Sequence, residues 1–211
     1  MSVIKNLDFN LSEIVSTFEL THNEDCSVLD NWIEARFELD DFEHTILEDL
    51  YQNLVVTGEY MNEEELKAKM VGLIFYASKI EEPKKIMVFY ERALSGKINN
   101  IPLSVVCDCI VATPIVNAPR NPYFFLQEFK KSKGEKKDPE AQMLIAMLIA
   151  QQKNNDNKTV YGGYLIGTGW HFATLIGKDY SVSRRIEATQ KNELFRIVFT
   201  LKKLKELIIN H

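Results

Sequence analysis

The sequence predicts a mixed α/β fold, and three observations carry that prediction. Residues 1–82 place apolar side chains at helical spacing behind capping residues, residues 85–131 switch to dense runs of β-formers, and a capped apolar helix, a hairpin and an amphipathic helix follow. The order, ααα-βββ-α-ββ-α, contains no internal repeat or low-complexity tract. It suits one mixed sheet flanked by helices, with an acidic helical extension at 1–61 packed on a core at 62–211.

Each element has its own signal. After Asn23-Glu24-Asp25, the residues Val28, Leu29, Trp32 and Ile33 predict a short helix. Asp40 or Asp41 caps a second, with Ile46, Leu47, Leu50 and Leu54 on one side, and Gly58 is expected to end it in a left-handed conformation. The third begins at Asn62, which caps the first turn while Glu65 reaches back; Leu66, Met70, Leu73, Ile74 and Ala77 form its stripe and Pro83 closes it. Residues 85–93 and 102–112 read as strands, separated by turn material at Ser95-Gly96-Lys97 and Asn99-Asn100. A loop with Pro114, Pro119 and Pro122 leads to a third strand from Tyr123 to Lys130 or Lys131. Asp138-Pro139-Glu140 opens a helix over 139–152 that is apolar almost all round and so expected to be buried. Strands at 159–166 and 170–176 are joined by Gly167-Thr168-Gly169, and the last helix, 190–208, carries Leu194, Ile197, Val198, Leu201, Leu204 and Leu207 on one side.

At 211 residues, 45% hydrophobic and 26% charged, with nine Gly and six Pro, the chain reads as one globular domain rather than a disordered, collagen-like or disulfide-stapled one. No apolar run approaches ~18 residues, so no transmembrane helix is expected. Residues Met1 to Phe18 lack the pattern of a signal peptide. Three Cys, two of them in Cys107-Asp108-Cys109 and pointing the same way along a strand, cannot build a disulfide framework, and a reduced, cytoplasmic setting is expected.

The net charge of −5 argues at first against a nucleic-acid partner. Residues 1–82, however, hold 5 Lys+Arg against 19 Asp+Glu, a balance of −14, while residues 83–211 hold 20 against 11, a balance of +9. Such asymmetry points to an anionic partner unless folding interleaves the halves.

Most catalytic arrangements are excluded by what the chain lacks: a Gly-rich phosphate loop, Cys-x-x-Cys, His-x-x-x-His or a nucleophile elbow. With His only at 22, 44, 171 and 211, a histidine metal cluster is not expected. What remains is Asp108 in one strand and Glu128-Phe129-Lys130 at the end of the next. Side-chain alternation puts Glu128 and Lys130 on one face with Phe124 and Leu126, and Asp108 on a face with Val106 and Ile110. Two carboxylates and an ammonium that converge are what metal-assisted phosphodiester hydrolysis requires: hard oxygen ligands for Mg²⁺ or Mn²⁺ and a cation near the scissile phosphate. Glu-x-Lys occurs four times, but only this copy ends an apolar strand. An ion pair on a solvated strand end is the bland alternative, worth ~0–1 kcal/mol.

Asp108, the 19 residues that follow, Glu128-Phe129-Lys130, the next helix with Gln142 and the later strand pair resemble the PD-(D/E)XK nuclease superfamily over about residues 62–176. The whole chain also resembles a group of small bacterial proteins that share its Cys-Asp-Cys and Gln-Glu-Phe-Lys-Lys segments. The resemblance implies a restriction-endonuclease-like core in which Asp108 and Glu128 bind the metal, Lys130 positions or activates the water, and Gln142 contributes from the helix. Cys107 stands where the family pattern has Pro. An acid from the first core helix is common in the family; Glu63, Glu64 and Glu65 compete for that role, and Glu63 is preferred because Glu65 is occupied by the cap. Lys131, Lys133, Lys136 and Lys137, extended by Arg184 and Arg185, are candidate phosphate contacts, although a solvated loop has the same composition. Trp170, His171 and Phe172 are expected to pack on the last helix rather than stack on bases.

The expected function is therefore a Mg²⁺-dependent nuclease acting on DNA. The alternative is a catalytically silent relative that binds nucleic acid or a protein partner, with the acidic helices as an interaction surface or cover. A small-molecule enzyme has no supporting constellation.

Overall fold

The computed structural model describes residues 10–130 and 138–209, with the backbone alone at 122, 124–128 and 130. Its helices are α1 (Leu11–Phe18), α2 (Ser27–Ile33), α3 (Asp41–Thr57), α4 (Glu63–Leu66), α5 (Gly72–Ser78), α6 (Pro139–Asn154) and α7 (Lys191–Ile209). The strands are β1 (Thr21–His22), β2 (Met87–Ile98), β3 (Ile101–Ile115), β4 (Ala118–Lys130), β5 (Val160–Ile166), β6 (Gly169–Ile176), β7 (Asp179–Val182) and β8 (Ile186–Glu187). They form one mixed sheet in the order β1-β7-β6-β5-β4-β3-β2, with β8 paired to β6. The meander β2-β3-β4 is antiparallel, α6 crosses over, and β5 lies parallel to β4. The predicted fold class is the observed one; α1, β1, β7 and β8 are elements the sequence reading did not name.

Local signals set most helix starts. Asp40 and Glu43 make a reciprocal capping box at α3, Asn62 and Glu65 make another at α4, and Asp138 with Pro139 opens α6. Gly58 departs from expectation: its φ is −56°, and the chain continues through a 3-10 turn, Gly58–Tyr60. Space is what demands glycine there, since an added Cβ would lie 3.0 Å from the Thr168 methyl. A π-helical turn at Lys67–Val71 joins α4 to α5 and rotates the predicted stripe, leaving Leu73 39% exposed while Leu66, Met70, Ile74 and Ala77 stay buried. The helix ends at Lys79 in a left-handed conformation, ahead of Pro83.

The strands run longer than predicted. Ser95-Gly96-Lys97 lies inside β2, and the turn is Asn99-Asn100 alone, both with positive φ, as a two-residue hairpin requires. Pro114 and Pro119 sit opposite each other on β3 and β4, next to register shifts, rather than in an open loop.

Two apolar clusters lie on the two faces of the sheet. One joins Trp32, Leu47, Leu54, Met70, Ile74, Cys109, Trp170, Phe172 and the inner side of α7; the other joins α6 to Phe89, Leu94, Val105, Cys107 and Ile110. Trp32 is the strut of the first. Its Nε1–H donates to Thr200 O at 2.8 Å, and its ring meets Tyr161 and Phe172 edge-on. Trp170 and Phe172 are fully buried beside α7, as expected.

The two charge halves interleave. Lys202 of α7 pairs with the buried Glu43, Lys191 pairs with Glu48, and Lys205 donates to the carbonyls of Lys79 and Glu81. Glu43 also takes Lys79 at 3.0 Å. Burial by itself would raise the Glu43 carboxyl, but hydrogen bonds from Lys202, the Asp40 N–H and Lys79 hold it below the usual carboxylate range. A depressed folded pKa stabilises the fold above the unfolded value of about 4.3 and is lost as pH falls through the folded value. Urea denaturation from pH 6 down to pH 3 is therefore expected to show a stability loss of roughly 1 kcal/mol or more that is reduced in Glu43→Gln.

Candidate active site at a bend in the sheet

Side-chain alternation along β2 and β3 slips at one point. Cys107 and Ile110 face the same cluster, as do Phe89 and Leu94, while Cys109 and Val111 face the other. The ladder pairs Tyr90 with Cys109 and Arg92 with Cys107 and omits Glu91 and Asp108 between them, and Glu91 has φ 51°. A non-glycine residue in this conformation costs on the order of 1 kcal/mol or more. Beyond the slip the hairpin curls over α6, bringing Lys97 into hydrogen bonds with Gln152 near the far end of the helix. Two expectations are corrected here. Cys107 and Cys109 point to opposite faces, and Asp108 does not share a regular strand face with Val106 and Ile110, because the alternation breaks at Asp108 itself.

At the bend, Asp108 is only 7% exposed, and an ionised carboxylate at that depth needs compensation. Its Oδ2 accepts a hydrogen bond from the Phe129 N–H at 2.7 Å, and its Oδ1 lies 3.2 Å from Lys67 Nζ. Lys67 belongs to the π-helical turn, where the Gly72 N–H reaches back five residues to its carbonyl. The same ammonium is 2.7 Å from Glu91, 3.2 Å from Glu63 and 3.5 Å from Glu64, and it lies 5.8 Å from the centre of the Phe129 ring. Burial would lower the Lys67 ammonium, but the hydrogen bond to Glu91, the Asp108 charge and the hydrogen bonds to Glu63 and Asp108 raise it well above the ordinary lysine range.

The antiparallel ladder of β3 with β4 reaches Cys109 opposite Gln127, one step from Asp108 and Glu128. On the other side of β4, Glu128 stands opposite Tyr164 and Lys130 opposite Ile166. The backbone thus brings positions 108, 128 and 130 to one end of the sheet. The side chains of Glu128 and Lys130, and all of Lys131, Lys133, Lys136 and Lys137, lie outside the described residues. Glu63 reaches the site through Lys67 rather than by direct contact with Asp108, and Glu65 is held in its capping box. Gln142 Oε1 is buried and has no hydrogen-bond partner among the described residues. Arg185 is paired with Glu187 at 2.6 Å across Gly169, where an added Cβ would meet the guanidinium, while Arg184 is exposed.

Nothing in the sequence marks Lys67, Glu91, Tyr164 or Glu140 as residues near the candidate site. Lys67 follows Glu63 by four residues, a helical pairing signal, yet nothing local ties it to Asp108. Tyr164 donates its hydroxyl to Glu140 at 2.9 Å and stacks on His171 with ring centres 4.5 Å apart. Burial raises the Glu140 carboxyl, against the Tyr164 hydrogen bond.

The Asp108 carboxylate is a hard oxygen donor and suits a divalent cation such as Mg²⁺. Among the described residues, no three His, Cys, Asp or Glu side chains are grouped to hold a metal ion, so Glu128 would have to complete the donor set. Removing the ammonium leaves Asp108, Glu63 and Glu91 to repel one another. Lys67→Met is expected to lower the unfolding free energy by about 3 kcal/mol in urea titration, with Lys67→Arg recovering most of it. Comparison with protein-family models gives no match, and comparison with curated proteins finds no relative, so the residues themselves carry the functional reading.

Proposed function

We propose that the chain is a metal-dependent nuclease of the PD-(D/E)XK type, hydrolysing phosphodiester bonds in DNA. The observation that supports this best is the buried Asp108 carboxylate at a bend in the sheet, accepting a hydrogen bond from the strand that carries Glu128 and Lys130. A carboxylate at this depth is costly unless something compensates it, as a bound cation would. The order of helix, antiparallel meander, helix and parallel strand, from α4 to β5, agrees with the core that the sequence resemblance implies.

In this reading Asp108 and Glu128 would hold the metal, which would supply Lewis acidity at the phosphate. The Phe129 N–H fixes the carboxylate orientation of Asp108. Lys67 pairs with the same carboxylate, and its contacts with Glu63 and Glu91 would hold the ammonium beside a cation bound to Asp108. Lys130 stabilises charge on the phosphate in the transition state, and Gln142 supplies a buried amide oxygen from α6.

A second reading, a nuclease-like protein that binds nucleic acid without cutting it, draws on the Lys67 ammonium seated on Asp108. The two are separated by incubating plasmid and linear DNA with Mg²⁺ or Mn²⁺. The nuclease reading expects cleavage that falls at least about 10²-fold in Asp108→Asn and in Lys130→Ala. Cleavage that survives both substitutions overturns the assignment. DNA binding without cleavage, and no calorimetric Mg²⁺ signal that depends on Asp108, establishes the second reading instead.

A further inference from the structure

Three arginines from separate parts of the chain gather at the sheet end that carries the candidate site. Arg36 follows α2, Arg184 follows β7 and Arg196 lies near the start of α7. Arg196 Nε–H donates to Ile33 O at 3.0 Å, and Arg36 Nη1 donates to Glu34 O and Ala35 O at 2.9 Å each, so both guanidiniums are moored on three consecutive carbonyls. Each has five N–H donors, and most remain for another acceptor.

Arg36 and Arg196 line one cavity of about 490 Å³ together with Asn192, Glu193, Phe195 and Phe199. The Glu193 carboxylate is engaged by the Glu187 N–H. Among the described residues, no carboxylate forms an ion pair with any of the three arginines, whereas the neighbouring Arg185 has Glu187. Burial lowers the Arg196 guanidinium below its ordinary range, and the charges of Arg184 and Arg36 act in the same direction, opposed by Glu34 and Glu193. Crowded cations of this kind are relieved by a bound anion.

The topology places the cluster relative to the site. β4 and β5 run parallel, β6 is antiparallel to β5 and β7 is antiparallel to β6, so the end of β7, which leads to Arg184, lies at the same end of the sheet as Lys130. Three strand spacings of ~4.8 Å put β7 about 14 Å from β4. That is about four nucleotides at ~3.4 Å of rise.

We infer that Arg36, Arg184 and Arg196 form a clamp for the phosphates of a nucleic-acid backbone, extending the candidate site across the end of the sheet. The inference rests on the nuclease reading for its ligand and reaches beyond it in making α7 and the otherwise acidic N-terminal segment part of the binding surface. Arg196 and Arg36 are oriented by their backbone carbonyls, and Phe195 and Phe199 offer apolar rings beside them.

The test uses the full chain and a fluorescein-labelled DNA duplex in EDTA, with affinity read by anisotropy across a salt series. Arg36→Gln/Arg184→Gln changes two exposed side chains and spares the half-buried Arg196. Its affinity is expected to fall about tenfold or more, and the slope of log K against log salt to become shallower by about 1.8, two phosphate contacts' worth on a duplex. Lys153→Gln/Lys158→Gln, the same charge change at the opposite sheet end, is expected to leave the slope unchanged. Equal losses in the two double variants, or no loss in the arginine pair, overturn the clamp. Cleavage in Mg²⁺ separates the two proposals. Unchanged binding in the arginine pair alongside loss of cleavage in Lys130→Ala removes the clamp alone, and weakened binding alongside cleavage that survives Lys130→Ala and Asp108→Asn removes the nuclease alone.

Discussion

A carboxylate in the middle of a buried strand is the constraint around which this molecule is arranged. Asp108 cannot be left ionised and unpartnered at 7% exposure, and the partners it recruits come from three directions. The Phe129 N–H comes from β4, Lys67 from the helical layer, and Glu91, across β2, closes the ring around that lysine. The bend in the hairpin, the π-helical turn and the end of β4 thus meet at one node, where a single ammonium holds several carboxylates together. Replacing the acid with an apolar residue would make the strand easier to build, so the node is better explained by use than by stability.

Charge has two roles along the chain. The acidic N-terminal segment looks in sequence like a free polyanion, yet Glu48 and Glu43 are held by Lys191 and Lys202 of α7, and Asp40 and Glu43 by Lys79 at the end of α5. The basic excess of the remainder is correspondingly smaller than its count. The three arginines proposed to clamp a polyanion come from both halves, Arg36 from the acidic one and Arg184 and Arg196 from the basic one. Electrostatic halves in sequence do not map onto electrostatic halves in space.

Local chemistry was legible in the sequence and long-range chemistry was not. Asp40 or Asp41 at α3, Asn62 with Glu65 at α4, and Asp138 with Pro139 at α6 are signals carried by residues one to three apart; the structure caps α3 with Asp40, and the other two form as read. Gly58 and Ser95-Gly96-Lys97 look like chain breakers by the same local logic, but their roles are set by tertiary neighbours: the Thr168 methyl for one, the Ile149 and Gln152 side chains for the other. Asp108 was found because an acid stands out in a run of Val, Cys and Ile. Lys67 was not, because a lysine in an amphipathic helix looks ordinary until the fold sets it on a residue 41 positions away. The slip in alternation at Glu91 and Asp108 leaves no mark in composition or period.

The curl of the β2–β3 hairpin over α6 leaves that helix with a cover on each flank. The sheet lies on one side, and Leu94, Leu103 and Val105 lie on another, so that nine of its residues, from Ala141 to Ala150, are buried. The middle of a helix enclosed this way is shielded from solvent, in contrast to its last turn, where Gln152 and Lys153 are exposed, and its central amides are expected to exchange chiefly when the hairpin lifts. Because the hairpin bends at Asp108, lifting it would disturb the same carboxylate that the proposed site depends on. Local opening of the helix and loss of the site are therefore one event, and the region should behave as a single cooperative unit.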